Sequence, residues 1–206
     1  LYRLDWELLD GARAQTWDMF SAMDAGMDHA EEVAAGVNVL GRWSDIASGK
    51  GHAIIEASES NKVFAFLARW TKHSCNCTVT PVLDDNEARR VILGEEPAYK
   101  VIYDTARQPT GDESLFWIDY RFYDGSRKEG SQVFANLSED DDKKDAGKCV
   151  PLGRWHDLGK GTGCAVAIAT SAEDVQKWAY NWQEKCKCSI KLVQTVGDAR
   201  ATMRAA

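Results

Sequence analysis

The sequence lacks the features that mark two large classes of protein. No apolar run approaches the roughly 18 residues that a membrane-spanning helix needs, so we expect no membrane span. The formal net charge is -7 at pH 7, and a nucleic-acid-binding protein would need a basic face to neutralise phosphates. We therefore expect neither a membrane segment nor a nucleic-acid partner.

Residues typical of catalytic sites are also scarce. The chain has four histidines, the usual general acid or base, and no Gly-x-Ser-x-Gly elbow that would position a serine nucleophile. The glycine-rich segment 159–163 looks like a phosphate loop, but a nucleotide-binding loop has Ser or Thr directly after Gly-Lys and opens a helix. This segment is instead predicted to be a hairpin turn between two strands.

One segment of the chain occurs twice. Residues 40–53, which begin Leu-Gly-Arg-Trp-Ser-Asp, return as residues 152–165, which begin Leu-Gly-Arg-Trp-His-Asp. The similarity extends upstream, where residues 1–13 match 115–127, and downstream to a Cys-x-Cys pair in each copy. Such self-similarity indicates a duplicated structural unit. We predict two homologous units, 1–93 and 113–206, joined by a linker, 94–112, that contains one added strand.

The hydrophobic pattern predicts the same element order in both units. Residues 1–10 alternate apolar and polar side chains, which indicates a strand, and residues 12–24 have helical spacing. Further strands are expected at 37–43, 51–57 and 75–83, with a helix at 58–70 between the last two. The order strand, helix, strand, strand, helix, strand is that of a ferredoxin-like antiparallel sheet with both helices on one face. The predicted fold class is α+β, with two tandem ferredoxin-like units packed with pseudo-twofold symmetry.

The six cysteines allow three interpretations. An even set together with two glycosylation sequons suits a secreted disulfide protein, but a chain with 44% hydrophobic residues does not need disulfide staples. Cys75 with Cys77, and Cys186 with Cys188, each point to one face of a strand and could offer thiolates to a metal near His73. No full ligand set is present in either copy, so we expect buried free thiols and no metal.

The acidic segment and the histidines are the remaining candidates for a binding or catalytic role. The acidic segment 139–145 does not have the spacing of a calcium-binding loop, and a solvated loop is expected there. The copies share no histidine, since His156 aligns with Ser44. If one copy alone kept a reactive site, its candidate residues would be Arg154, His156 and Asp157.

The residues that both copies retain are suited to turns, packing and anchoring. Arg42 is expected to stack on an aromatic ring or to fork onto a carboxylate such as Asp45. Trp and Arg are enriched at interface hot spots, and eight tryptophans are enough for some to lie on contact surfaces. We predict no catalytic, cofactor-binding or metal-binding residues. The candidates for assembly are Gly41, Arg42, Trp43, Asp45, Gly153, Arg154, Trp155 and Asp157.

At these paired segments the sequence resembles short bacterial domains of unknown function that have a ferredoxin-like sheet. The tandem arrangement over both repeats resembles the pyrenoid shell proteins of diatoms and related algae. This resemblance implies a protein of the chloroplast stroma, at the pyrenoid periphery, whose copies tile into a shell around the Rubisco compartment and support carbon dioxide concentration and fixation. Its implied partners are copies of itself, with Rubisco or other pyrenoid proteins as further candidates.

The sequence therefore predicts a self-assembling structural protein, without enzymatic activity and without a cofactor. Two similar halves would each offer nearly the same edge to a neighbour, and repeated heterologous contacts generate open lattices. The alternative is a small-molecule enzyme or ligand-binding protein of the dimeric α/β barrel type, with a pocket between sheet and helices. A titrating His156 or a small molecule in that pocket would favour this alternative.

Overall fold

The computed structural model describes all of residues 1–206, and each repeat contains the predicted elements in the predicted order, with one more helix after the first and another at the end of the repeat. The first repeat consists of β1 (Tyr2–Leu8), a short 3-10 turn (Asp10–Ala12), α1 (Arg13–Ala22), α2 (Ala25–Ala35), β2 (Asn38–Asp45), β3 (Lys50–Glu56), α3 (Ser60–Thr71), β4 (Cys75–Pro81), β5 (Leu83–Asp84) and α4 (Asp85–Leu93). The second consists of β6 (Ser114–Phe122), α5 (Arg127–Ala135), α6 (Glu139–Ala146), β7 (Val150–Asp157), β8 (Thr162–Ala169), α7 (Ala172–Asn181), β9 (Cys186–Thr195) and α8 (Val196–Ala205).

The chain forms two compact units, each with an antiparallel sheet. The first unit comprises Leu1–Pro81 and Val193–Ala206, and the second comprises Val82–Leu192. The strand order is β4-β1-β3-β2 in the first unit and β9-β6-β8-β7 in the second. This is the ferredoxin-like order in both cases, which confirms the predicted α+β fold.

The last elements of each repeat belong to the unit of the other repeat. In the second unit β5 pairs with β7, with Asp84 opposite Trp155. In the first unit the end of β9 pairs with β2 at the equivalent position, with Thr195 opposite Trp43. The compact units therefore divide the chain differently from the predicted repeat boundaries at 93 and 113. As a consequence, a residue at the start of α4 contributes to the interior of the second unit.

The segment between the repeats forms no regular strand, contrary to the sequence expectation for residues 94–112. The side chain of Asn86 donates to the carbonyl oxygen of Val101 over 2.8 Å and accepts from the Val101 amide over 2.9 Å. Because the Asn86 side chain hydrogen-bonds to both the N–H and the C=O group of Val101, these groups are not available to a neighbouring strand. The same segment brings Tyr103 to α4, where its hydroxyl donates to Asp85 over 2.7 Å.

Each unit has its core between the sheet and its helices. Alternate strand residues supply the sheet side of the first core, and α3 supplies the helix side with the fully buried Val63. In the second core α7 supplies Val175, which is equally buried, and Trp178. The apolar stripe of each helix thus covers the apolar face of its sheet, as the periodicity predicted.

One of two sequence expectations about surface groups is wrong. The acidic segment is helix α6, because Ser138 caps it and four acidic residues in its first turn complement the helix dipole. None of the eight tryptophans is exposed, because each packs at least partly into its own unit. Trp6, Trp17, Trp70 and Trp182 are partly exposed, so the expected contact role of tryptophan stays a prediction.

The sequence predicts free cysteines without disulfides, and it predicts no membrane-spanning helix. All six cysteines are free, and Cys75, Cys149, Cys164 and Cys186 are buried. The expectation of buried free thiols is therefore confirmed for four of the six. Among the helices, none combines the length and the apolar character that crossing a membrane requires.

The glycine before each repeated Arg-Trp is explained by the tryptophan ring. An added Cβ at Gly153 would lie 2.2 Å from Cη2 of Trp155, and one at Gly41 would lie 2.3 Å from Cη2 of Trp43. Both glycines also follow a register shift in their strand. The ring can lie over the backbone only where no side chain stands, so glycine is required at both positions.

We expect Gly153→Ala to lower the free energy of unfolding by about 1–3 kcal/mol, because the buried Trp155 ring must move. Denaturant unfolding measures this difference. Gly125→Ala is the matched control, since an added Cβ there meets nothing within 4 Å. Equal stability of the two variants would contradict this role for Gly153.

Candidate functional site

A buried polar cluster lies in the second unit, on the face of β7 that carries Arg154 and His156. These two side chains share a face because they are two residues apart on a strand. The pairing of β5 with β7 places Leu83 opposite His156 and Asp84 opposite Trp155. Asp85, the first residue of α4, therefore lies beside both Arg154 and His156.

Three side chains of this cluster form a chain of short contacts. The hydroxyl oxygen of Tyr120 is 2.5 Å from Nδ1 of His156, and Nε2 of His156 is 2.5 Å from Oδ1 of Asp85. His156 is 4% exposed and Asp85 is 1% exposed, so this chain is shielded from water. Gly163 makes room for the phenol, because an added Cβ there would lie 2.3 Å from the Tyr120 hydroxyl oxygen.

Arg154 joins this chain to a second carboxylate. Its Nε and Nη2 donate to Oδ2 of Asp85 over 2.9 and 2.6 Å. Its Nη1 and Nη2 donate to the two oxygens of Asp142 over 2.9 and 2.7 Å. Arg89 also pairs with Asp142, at 3.4 Å. Two guanidinium groups therefore face two carboxylates, and the buried charges balance.

Aromatic rings enclose these charges. The guanidinium carbons of Arg154 and Arg89 lie 5.5 and 4.8 Å from the centroid of the Phe134 ring. The same ring lies 4.5 Å, centroid to centroid, from the imidazole of His156. Cation-π contact and exclusion of water both strengthen the ion pairs inside the cluster.

The surroundings fix the ionisation of the acidic groups. Burial opposes the charge of Asp85, but the Arg154 charge and the hydrogen bonds from His156 and Tyr103 together hold the pKa of this carboxyl below its usual value. Burial raises the pKa of Tyr120 well above that of a free phenol, with the nearby Cys164 and Asp85 adding to the effect. Asp85 is therefore ionised at neutral pH, and Tyr120 keeps its proton.

These states determine the direction of the hydrogen bonds. An ionised carboxylate only accepts, so Nε2–H of His156 donates to Asp85. With a neutral imidazole the charges of the cluster balance, and Nδ1 has a lone pair that can accept from the Tyr120 hydroxyl. Tyr120, His156 and Asp85 thus form a proton relay with the same connectivity as a nucleophile, base and orienting carboxylate.

The relay borders a cavity between the sheet and the helices of the second unit. The cavity has a volume of about 80 Å³, and Tyr120, Arg154 and His156 supply its polar lining. The rest of the wall is mainly apolar, with Ile118, Phe122, Phe134, Ala165, Trp178, Ala179, Trp182, Cys186 and Cys188. The indole N–H groups of Trp178 and Trp182 both donate to Asp145.

The first unit has an equivalent cavity without the relay. This cavity has a volume of about 70 Å³. Trp6, Ser44 and Val196 stand at the repeat positions of Tyr120, His156 and Asp85. The ion pair below the relay is retained, with Arg42, Arg200 and Asp28 in place of Arg154, Arg89 and Asp142. The two copies thus share a frame and differ in the reactive groups.

The candidate assembly residues lie mainly in the interior. Arg42 pairs with Asp28 and lies 5.9 Å from the centroid of the Phe20 ring, so the expected aromatic contact is found and the carboxylate is a different one from Asp45. Trp43 and Trp155 are each 3% exposed. Gly41 and Gly153 accommodate their rings. These residues contribute to the interior packing of each unit.

Asp45 and Asp157 have a different role from the rest of the repeated segment. Asp45 accepts from the amide and hydroxyl of Ser48, and Asp157 accepts from the amide of Lys160. Both aspartates therefore stabilise a hairpin turn. The structure brings Arg154 and His156 together, but Asp157 is not part of their cluster.

Sequence reasoning missed Asp85, Asp142 and Tyr120. The sequence analysis gives Asp85 no role, places Asp142 in an acidic segment expected to be a solvated loop, and places Tyr120 in a strand. A signal was present in the repeat alignment, because Tyr120, His156 and Asp85 align with Trp6, Ser44 and Val196. The sequence could not show that α4 crosses into the second unit.

The cysteine pairs do not form a metal site. Sγ of Cys75 is 3.5 Å from Sγ of Cys77, and the second pair is 3.8 Å apart. No group of three or more His, Cys, Asp or Glu side chains is arranged to hold a metal ion. His73 is exposed, and the pairs instead form part of the cavity walls.

The fold and this buried cluster define a duplicated α+β protein with a buried polar cluster beside the cavity of its second unit. Residues 1–95 and 114–206 each match the family described as a domain of unknown function, DUF3303. The chain belongs to this family, in two tandem copies. None of the curated protein sequences matches it.

Solved structures with the same fold come from distant proteins. A putative monooxygenase from Lactobacillus acidophilus NCFM has 8% identity and a TM-score of 0.54, covering 95% of this chain and 93% of its own. DypB of Rhodococcus jostii RHA1, solved with heme, has 9% identity and a TM-score of 0.54, covering 97% and 94%. A chlorite dismutase from Candidatus Nitrospira defluvii has 9% identity and a TM-score of 0.53, covering 98% and 94%.

These comparisons correct the predicted function. The similar structures are of enzymes, and the expected self-assembling, non-enzymatic shell protein is wrong. The resemblance to short domains of unknown function is confirmed, whereas nothing in the matches supports the pyrenoid shell family or Rubisco as a partner. The chloroplast location stays a prediction.

Haem does not fit the cavity of the second unit. Both ring nitrogens of His156 are engaged, by Tyr120 and Asp85, so neither is available as an axial ligand. A volume of about 80 Å³ is also far below the roughly 300–1,000 Å³ of pockets that hold large organic ligands. The lining of this cavity therefore does not fit the haem of the DypB structure.

Proposed function

We propose that the second unit is an enzyme site in which Tyr120 takes a proton from a small, mainly apolar substrate with an acidic C–H or O–H group. The observation that carries this proposal is the chain of 2.5 Å contacts from Tyr120 through His156 to Asp85 at the wall of a cavity. This is the small-molecule alternative that the sequence left open.

The proposed step moves two protons in one direction. As the substrate C–H or O–H bond breaks, its proton forms a new O–H bond to the Tyr120 oxygen, and the original phenol proton passes to Nδ1 of His156. The products are a substrate anion and an imidazolium, and Asp85 stabilises the imidazolium through Nε2–H. The phenol stays neutral throughout, which agrees with its raised pKa.

The cavity limits the substrate to a compact molecule. Its walls are apolar apart from the relay and Arg154, and its volume suits a molecule of a few heavy atoms. A compact carbonyl compound with an acidic C–H meets these requirements.

Similarly folded proteins are consistent with an enzymatic role. Two of them, from Lactobacillus acidophilus NCFM and Fusobacterium nucleatum, are named putative monooxygenases, and others are chlorite dismutases. At 8–9% identity this likeness supports the choice of an enzyme class through the fold alone. The assignment of proton transfer depends on the relay.

The proposal is tested with acetylacetone, a compact diketone whose central C–H is acidic. In deuterated buffer, NMR follows the exchange of this hydrogen with and without the full chain. We expect the protein to accelerate the exchange in a saturable manner. Exchange at the buffer rate, at protein concentrations that bind the diketone, would overturn the proposal.

A further inference from the structure

The first unit carries a different charge balance from the second. Asp28 accepts from Nη1 and Nη2 of Arg200 over 2.6 and 3.0 Å, and its Oδ1 is also 2.9 Å from Nη2 of Arg42. One carboxylate therefore serves two guanidinium groups. The second unit has two carboxylates for its two arginines, and the missing one corresponds to Val196.

The position of Val196 is fixed by strand pairing. Thr195 lies opposite Trp43 in the first unit, as Asp84 lies opposite Trp155 in the second. The next residue starts the helix in both cases, and it is Val196 where the second unit has Asp85. The replacement removes the carboxylate that would accept from Arg42.

Arg42 consequently keeps an unused donor. Its Nε is buried and has no hydrogen-bond partner, whereas Nε of Arg154 donates to Asp85 over 2.9 Å. Arg89 also has a buried, unpartnered Nε, but Arg89 is not in the lining of the cavity of the second unit. Arg42 does line the cavity of the first unit. An unpaired buried N–H on a charged group is costly, and a ligand that accepts from it removes that cost.

Glu32 is the other carboxylate near Arg42, and it does not fill this role. Burial raises the pKa of Glu32, as does the charge of Asp28, while the Arg42 charge lowers it. Arg42 and Glu32 nevertheless form no ion pair within 4 Å. The Nε–H of Arg42 thus stays without an acceptor.

The cavity beside Arg42 is small and otherwise mostly apolar. Its volume is about 70 Å³, and its lining includes three tryptophans and two phenylalanines. The hydroxyl-bearing Ser44 and Thr16 also belong to the lining and are buried. A ligand that fits these walls has a short hydrocarbon body and one anionic end.

We propose that the cavity of the first unit binds a short-chain monocarboxylate, whose oxygen accepts from Nε–H of Arg42 and takes the place of the absent Asp85 counterpart. The site is independent of the relay in the second unit. Butyrate is the probe, and butyramide is its neutral counterpart of the same shape.

NMR of the full chain tests this proposal through the arginine Nε–H signals. Butyrate is expected to shift the Arg42 signal downfield in a saturable manner and to leave the Arg154 signal in place. Butyramide is expected to bind at least about tenfold more weakly, because a charge-assisted hydrogen bond is lost. No movement of the Arg42 signal, or equal binding of the two probes, would overturn the proposal.

Val196→Asp provides the matched variant, since it installs the carboxylate that the second unit has. An acidic residue in the first turn of a helix is favourable, so the variant is expected to fold, which circular dichroism checks. Butyrate binding should fall at least about tenfold, while Val196→Thr, of the same shape but without charge, should retain it. Unchanged binding in Val196→Asp, or an equal loss in both variants, would contradict the carboxylate site.

Discussion

Tyr120→Phe is expected to slow protein-catalysed exchange of acetylacetone by about 10²- to 10⁴-fold, the usual contribution of a positioned acid or base. The variant keeps the ring that fills the space above Gly163 and removes only the oxygen that contacts His156. The exchange rate at saturating diketone, measured by NMR, gives the size of the effect.

Two controls separate a chemical role of the phenol from a structural one. The buried Nδ1 of His156 loses its partner in Tyr120→Phe, which should cost about 1–3 kcal/mol, and circular dichroism checks that the variant remains folded. Tyr180→Phe removes a hydroxyl from a tyrosine that is 66% exposed and should exchange at the wild-type rate. If Tyr120→Phe, folded and able to bind the diketone, matches the wild-type rate, Tyr120 is not the proton acceptor.

Arg154→Met is expected to lower the free energy of unfolding by about 3–5 kcal/mol, because it leaves a buried carboxylate without its cation. Asp85 is 1% exposed and would keep only His156 and Tyr103 as partners. Asp142 would keep Arg89, at the longer distance of 3.4 Å. Denaturant unfolding at neutral pH, where Asp85 is charged, measures the loss.

The first unit supplies the matched control for this prediction. In Arg42→Met the carboxylate of Asp28 still has both hydrogen bonds from Arg200, so the expected cost is about 1–2 kcal/mol. Equal losses in the two variants would mean that the second carboxylate does not change the energetics of the cluster. A larger loss in Arg42→Met would contradict the charge count on which both proposals depend.

The architecture of each unit could be predicted from the sequence because it follows from local patterns. The alternation of apolar and polar residues predicts β1, and the helical spacing of apolar residues predicts α3. The capping box of Asp84 and Glu87 gives the start of α4. The repeat itself predicts that the second copy has the same elements. These signals are confined to a few neighbouring residues, which is why they could be recognised without coordinates.

The site could be predicted only in part, because it depends on contacts between distant residues. Arg154 and His156 are adjacent on one strand, and their common face was readable from their spacing. Asp85 is 69 residues from Arg154 in the chain, and it reaches the cluster only through the pairing of β5 with β7. Asp142 lies on a helix whose acidic composition concealed its one buried carboxylate.

The expectation that the protein has no enzymatic activity was misleading for a related reason. The copies share few reactive residues, since the relay exists in one unit only. What both copies retain is the frame of glycine, arginine and tryptophan that supports the cavity. Comparison of the copies therefore identifies the structural residues that both retain. The proposed reactive groups, Tyr120, His156 and Asp85, lie where the other copy has Trp6, Ser44 and Val196.

The proposed proton transfer requires that a neutral His156 imidazole links the Tyr120 hydroxyl to an ionised Asp85. The ¹⁵N chemical shifts of the two ring nitrogens of His156, in the full chain at neutral pH, test it most directly. We expect these shifts to show a protonated Nε2 and an unprotonated, hydrogen-bonded Nδ1. A protonated Nδ1, whether in the other tautomer or in an imidazolium, would contradict it.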